Sequence, residues 1–359
     1  MSQLPELPGI LSAHQVRATG DVIAELQLPS GQIQWFPGGH ADPWNHVEAA
    51  MALAVAGRKA EAERAFEWLE AIQHDDGAWF NYYIGDEVED ARLDTNVIAY
   101  VATGVCHHHL VTGDTGFVDA MWPMVERAIE FVLRLQQPGG EILWSLEPDR
   151  SPGRFALLTG SSSIYLSLRC ATALAWLLGH ERPEWELAAG RLAHTVAYRE
   201  HAFEPKVPWA MDWYYPVLSG AVTGDAARAR LEERWHEFVI DGLGVRCVNT
   251  GDWVTAAETS ELVLTLDAVA MRDEAVDLLS WTRHLRDDDG SYWTGCVHPQ
   301  CVRFPGGERT TYTSAAVILA THALTGSGAT AGLFRGDGLP VGLDLESLDR
   351  LQARLPSDD

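Results

Sequence analysis

A chain of 359 residues has room for one large domain or for two to three ordinary ones. Its 51 acidic residues outnumber the 26 basic ones, and the formal net charge of -25 argues against phosphate backbones and anionic lipid surfaces as partners. No basic start followed by an apolar run opens the chain, no apolar stretch reaches the length of a membrane span, and five cysteines without framework spacing suit a reducing cytoplasm.

In chain order, hydrophobic periodicity and stop signals give helices in pairs, an amphipathic helix followed by a more apolar one. The pairs are 13–27 with 43–56, 58–73 with 94–112, 117–136 with 161–179, 183–201 with 212–223, 225–239 with 255–271, and 273–286 with 310–325. The first member of each pair carries a solvated face, as in Arg58-Lys59-Ala-Glu61-Ala-Glu63-Arg64. The second is apolar nearly all round, as in Ile164-Tyr-Leu-Ser-Leu-Arg-Cys-Ala. Helices buried on every side must sit inside a ring of others, so the expected fold is all-α: an (α/α)6 toroid of six inner and six outer helices. It occupies residues 1–326 as one domain. Residues 327–359 form a tail with a short charged helix at 344–355, expected to pack on the rim.

One phrase recurs after the outer helices: Leu28-Pro-Ser-Gly-Gln-Ile-Gln-Trp35, Gln73-His-Asp-Asp-Gly-Ala-Trp79, Gln137-Pro-Gly-Gly-Glu-Ile-Leu-Trp144 and Asp287-Asp-Asp-Gly-Ser-Tyr-Trp293. A turn glycine with tryptophan a few residues on, repeated, marks a repeat architecture. The segments that carry the phrase are long and polar, whereas the return connections are short, so the functional loops share one face.

That face collects aromatics beside carboxylates and amides, which suits the apolar face and the hydroxyls of a sugar ring. Trp35, Trp44, Trp79, Tyr83, Trp213, Tyr214 and Trp253 are expected to stack on sugar, and His40, His46 and Arg92 to bind it. Glycoside hydrolysis needs two carboxyl groups across the scissile bond. Glu258 and Glu261 enter the fifth inner helix, and Glu258 also completes a Thr255-x-x-Glu capping box. Asp42 stands before Pro43, an N-cap signature with or without chemistry. Asp42 and Glu258 rank first as the catalytic pair, with Glu261, Asp94 and Asp212 as alternatives; Asp94 and Asp212 serve equally as caps or sugar ligands. His107-His-His109 lies away from the loop face, Cys296-x-His298-x-x-Cys301 lacks a fourth ligand, and Asp86-Glu-Val-Glu-Asp90 reads as a solvated loop, so neither a metal nor another cofactor is expected.

Two resemblances follow. Gln73-His-Asp-Asp-Gly-Ala-Trp79 resembles the Q-x-x-D-G-x-W repeat of squalene cyclases and prenyltransferase β-subunits, which are also α/α toroids. The acid run of the cyclases is missing here. The stretch Leu93-Asp-Thr-Asn, then Thr112-Gly-Asp-Thr, then Trp122-Pro-Met-Val-Glu is similar to the glucoamylase-type six-hairpin glycosidases. Over about residues 30–325 the layout resembles the actinobacterial hydrolases of 3-O-methylmannose polysaccharide. That resemblance implies a cytosolic endo-α-mannosidase making an internal α-(1→4) cut, by analogy with inversion. Two rivals stay open: an enzyme acting on a polyprenyl substrate, and a sugar-binding toroid without catalysis.

Overall fold

The computed structural model describes residues 4–326 and 328–342. The outer helices are α1 (Ala13–Glu25), α3 (Lys59–Ile72), α6 (Thr115–Leu133), α8 (Pro183–Tyr198), α10 (Gly224–Phe238) and α12 (Arg272–Trp281). The inner helices are α2 (Pro43–Val55), α4 (Thr95–Ala99) continued by α5 (Val101–Thr112), α7 (Leu158–Leu178), α9 (Ala210–Leu218), α11 (Ala256–Ala268) and α13 (Thr311–Leu324). Each inner helix packs on the next, from α2 through α5, α7, α9 and α11 to α13, and α13 returns to α2. The ring is closed, as the all-round burial of these helices requires. Close approach is visible at Gly104 of α5, where a Cβ would lie 2.4 Å from Val47 of α2.

The recurring phrase forms the joints of this ring. Gly31, Gly77, Gly140 and Gly290 all have φ between +95° and +103°. A Cβ on Gly31 or Gly77 would come within 2.2 Å of the carbonyl of Arg64 or Arg127, in the next outer helix. Only glycine meets both demands at once. At three joints a glutamine completes the clamp. The Gln73 Nε2 amide donates to Gly77 O at 3.0 Å and to Met124 O at 2.9 Å. Gln27 and Gln136 do the same to Gly31 and Glu61 and to Gly140 and Ala188. The last joint closes on the first helix, where the Thr19 hydroxyl donates to Gly290 O at 2.7 Å.

The loops add three small antiparallel sheets that the sequence reading did not anticipate. They are β1 (Tyr82–Ile84) with β2 (Glu87–Asp90), β3 (Leu93–Asp94) with β4 (Ser145–Leu146), and a five-stranded sheet of β5 (Val239–Ile240), β6 (Gly244–Arg246), β7 (Trp253–Thr255), β8 (Gly295–Val297) and β9 (Val302–Arg303). Strand β7 feeds directly into α11, so the sheet ties the fifth inner helix to the loop of the sixth hairpin.

The described part of the segment after α13, residues 328–342, packs under the ring and not on its rim. A further helix, α14 (Ala329–Arg335), packs on α5, α11 and α13 and closes the ring at the end away from the loops. Its Thr330 hydroxyl meets both His107 and His322 at 2.8 Å, and Arg335 pairs with Asp267 at 2.8 Å. His107 is thus a packing residue. The charged helix expected at 344–355 lies outside the described residues. No single described helix is long and apolar enough to cross a membrane.

Candidate active site

Asp42 ends an extended approach and caps α2, accepting the Asn45 backbone N–H at 3.0 Å. Its other oxygen accepts the Trp35 indole N–H and the Asn45 side-chain amide, both at 2.7 Å. Burial pushes the carboxyl above the usual range, and these three donors pull it back. Trp35 is only partly buried. It stands edge-on to His40, Tyr82 and Tyr312, with centroids 4.3, 5.9 and 4.9 Å away. Thr311 of α13 pins its carbonyl from the neighbouring hairpin at 2.8 Å.

Asp94 repeats the arrangement one hairpin on. It caps α4 through Asn96 N–H (2.9 Å) and Val97 N–H (3.2 Å), and accepts the Trp144 indole N–H. Burial lifts its carboxyl to about 6, with Asp42 adding a repulsive contribution. The exposed side of Trp144 is occupied: Phe155 stacks on it at 5.4 Å, and the Arg92 guanidinium lies 5.2 Å from its ring. Arg92 is itself held by Asp90 at 2.6 Å.

Glu258 lies in the first turn of α11, half-buried. The expected capping box does not form there. The Thr255 hydroxyl donates to the Glu258 carboxylate instead of taking a backbone N–H. Asp42 and Glu258 open the two inner helices that flank α13, whose Tyr312 phenol is pushed up mainly by burial and further by the Glu258, Glu308 and Asp42 carboxylates. Glu261, one turn deeper, is buried. Both its oxygens are engaged, by the Tyr214 hydroxyl and by the Tyr215 hydroxyl at 2.5 Å, and burial raises its carboxyl to about 7.

Several residues expected at the sugar lie elsewhere. Trp79 is 1% exposed and donates to Leu69 O, and Trp213 is fully buried, stacked on Phe238 and bonded to Arg230 O. Neither has a face for a ligand. Tyr214 is buried against Glu261, and the Tyr83 hydroxyl accepts the Phe80 N–H in the interior. His46 is buried with both nitrogens used, one accepting Ile33 N–H and the other donating to Ala65 O, and its pKa falls to about 4 through burial. Asp212 is not an N-cap of its own helix. It reaches across to the Thr159 hydroxyl (2.6 Å) and N–H (3.3 Å), capping α7 where Leu157 offers no side-chain cap. His40 pairs with Glu89 at 2.9 Å, and the half-exposed Trp253 indole donates to Phe304 O. Trp44 stays partly open between the edges of Tyr100 and Tyr215.

Glu48 of α2 escaped the sequence reading. It is 9% exposed, accepts the Tyr100 hydroxyl at 3.2 Å, and its carboxyl is pushed well up by burial and by Glu261. The signal was present, since a charge inside the apolar run His46-Val-Glu48-Ala-Ala-Met is the pattern that singled out Glu261. Tyr82 and Tyr312, which frame Trp35, were likewise not among the residues assigned to sugar.

No family model matches the chain. It is 51% identical over 348 residues to the MMP endo-(1,4)-3-O-methyl-alpha-D-mannosidase of Mycolicibacterium hassiacum, covering 96% of each chain. A 153-residue stretch is 30% identical to an uncharacterized glycosyl hydrolase of Methanocaldococcus jannaschii, 42% of this chain and 24% of that one. Among solved structures, a glycosidase in complex with glucose superposes with a TM-score of 0.72 at 16% identity, over 88% of this chain and 96% of that one. A D-mannose isomerase does so at 0.67 and 10%, over 88% and 99%. At such identities these two show the toroid alone, and the fold hosts more than one chemistry. The relationship over nearly the full length carries the assignment: the chain belongs to the MMP endo-(1,4)-3-O-methyl-alpha-D-mannosidase family of glycosidases.

Proposed function

We propose that this enzyme cuts internal α-(1→4) bonds of 3-O-methylmannose polysaccharide, with Glu258 as general acid and Asp42 as the base that activates water. The observation that supports the pairing is their placement: two carboxyls at the N-terminal ends of α2 and α11, the helices that pack on either side of α13. Glu258 is preferred to Glu261 because it is half-exposed, whereas both oxygens of Glu261 are taken by tyrosines. Asp42 is preferred to Asp94 because the neighbours of Trp35 are edge-on, whereas Trp144 has Phe155 stacked on it and the Arg92 guanidinium over its ring.

In this reading Trp35 and Trp44 present aromatic surface to the sugar and its O-methyl groups, and the Trp35 and Asn45 donors hold the Asp42 carboxylate toward water. Protonation of the glycosidic oxygen by Glu258 and attack by water invert the anomeric centre. The five cysteines are all free, which suits the reducing cytoplasm in which we place the reaction. A polyprenyl substrate is not favoured, because the Q-x-x-D-G-x-W phrase is used up in the ring joint.

The test is incubation with methylated and unmethylated α-mannan oligosaccharides and α-glucans, followed by mass spectrometry and proton NMR of the first anomer released. Discrete shorter methylmannosides of inverted configuration support the proposal. Intact methylmannosides overturn it.

A further inference from the structure

Glu48 of α2 and Glu261 of α11 line one small cavity with Tyr100, Tyr215, Ser163 and Phe334. The cavity measures about 10 Å³, the lower limit for a single water molecule. The Ser163 hydroxyl on its wall has no hydrogen-bond partner among the described residues. Every side-chain partner the two carboxyls have is a tyrosine hydroxyl: Tyr100 on Glu48, Tyr214 and Tyr215 on Glu261. None of the ion pairs among the described residues includes either acid. Two buried carboxyls on one cavity without a counter-cation cannot both ionise, because the repulsion adds to the loss of solvation.

We propose that Glu48 and Glu261 form a proton-holding pair, Glu48 keeping its proton while Glu261 takes the single negative charge, and that this charge sets the pH range over which the hydrolysis runs. The inference rests on the proposed role of Glu258.

Every element around the pair bears on it. Glu261 lies three residues beyond Glu258 on α11, on the same helix face, and after burial the Glu258 carboxylate raises the Glu261 carboxyl further. From α9, Tyr214 and Tyr215 donate to Glu261. From the junction of α4 and α5 comes Tyr100, and from the N-cap of α2 comes Asp42, which adds to the repulsion on Glu48. Helix α7 contributes the neutral Ser163, and α14 contributes Phe334, with its Arg335 turned away to Asp267. Around Glu258 stand the Thr255 hydroxyl, the Cys247 thiol and the Tyr312 phenol of α13. No cation is among these groups. A negative Glu261 therefore places a like charge one helical turn from Glu258. Glu48, kept neutral, adds no second charge to the cavity. Glu48 and Glu261 are positioning residues: they touch no substrate and act through Glu258.

Two measurements on the full chain test this. Difference infrared titration without substrate reads protonated carboxyls directly. A buried carboxylic-acid band persisting at about pH 8 in the wild type and absent in Glu48→Gln supports the pair. No such band in the wild type, or an unchanged band in Glu48→Gln, overturns it. The second is kcat/KM against pH on a methylmannose oligosaccharide. Glu261→Gln moves the alkaline limb to lower pH by about one unit, and Glu261→Asp, which keeps the charge, returns it toward the wild-type position. An alkaline limb that stays in place in Glu261→Gln overturns the proposal even if kcat falls. Should Glu261→Gln fail to fold, a Glu261→Asp limb displaced as far as about one unit has the same force. A wild type that cleaves no glycan defeats the glycosidase reading instead, and the infrared result then decides the pair alone.

Discussion

The indole N–H of Trp35 points at Oδ2 of Asp42 across 2.7 Å, so the aromatic surface beside the cleft and the buried carboxylate beneath it are one unit. A donor to the ionised form lowers a carboxyl's pKa. In Trp35→Phe the ring surface is kept and the donor is lost. Asp42 then holds its proton to higher pH, and the acid limb of kcat/KM moves upward by about half to one unit. A limb that moves down or not at all contradicts the assignment of Asp42 as base.

Asp42→Asn and Glu258→Gln each retain the fold by circular dichroism and lose about 10²–10⁴ in kcat, the range of a general acid or base. Asn remains a competent N-cap, so the loss in Asp42→Asn is not a capping effect. Turnover near the wild-type rate in both variants excludes the pair.

Trp213 sits between Phe238 and the backbone of α10, not at the sugar. Trp213→Ala costs about 3–5 kcal/mol in denaturant unfolding. Product inhibition by short oligosaccharides stays unchanged in whatever fraction folds. Weakened inhibition with unaltered stability would restore Trp213 to the cleft.

At the second joint, Gly77→Ala must place a methyl group against Arg127 O at a φ of +95°. The expected cost is at least about 2 kcal/mol, from strain and displacement together. Chemical denaturation reads it, and a neutral substitution would show that the joint yields.

His46 is held neutral by burial, with its pKa lowered from 6.5 to about 4. The unfolded chain takes up the proton first, so the stability this residue contributes is fully present above about pH 6.5 and is lost as pH falls towards 4. His46→Gln is therefore less stable than the wild type near pH 8 by about 1–3 kcal/mol. That gap narrows as the pH is lowered to about 5, and a widening gap refutes the neutral assignment.

The helices could be read from the sequence because burial on all sides leaves a direct mark on composition, as in α7, where even Ser161, Ser162 and Ser163 are enclosed. The caps at Asp42 and Asp94 could be read because their chemistry is local. Sides could not. Trp79 and Trp35 occupy the same phrase, yet one donates inward to Leu69 and the other across to Asp42, a difference set by the path of the chain after the turn. Asp212 likewise caps a helix 53 residues earlier in the chain, which no local pattern reports. The five-stranded sheet escaped because its strands are two or three residues long and offer no alternation to count.

The bond from Thr19 to Gly290 spans 271 residues, and Thr311 reaches back 277 to Gln34. A chain emerging from the ribosome can build its hairpins one after another, but the first keeps an open flank until the sixth has been made. Its apolar side stays exposed for most of synthesis, the interval in which long-range folds are vulnerable to aggregation. Trp35, whose backbone is pinned from Thr311, reaches its working position only then. Closure of the ring thus comes last in biogenesis, and a nascent chain lacking the sixth hairpin lacks the contact that pins Trp35.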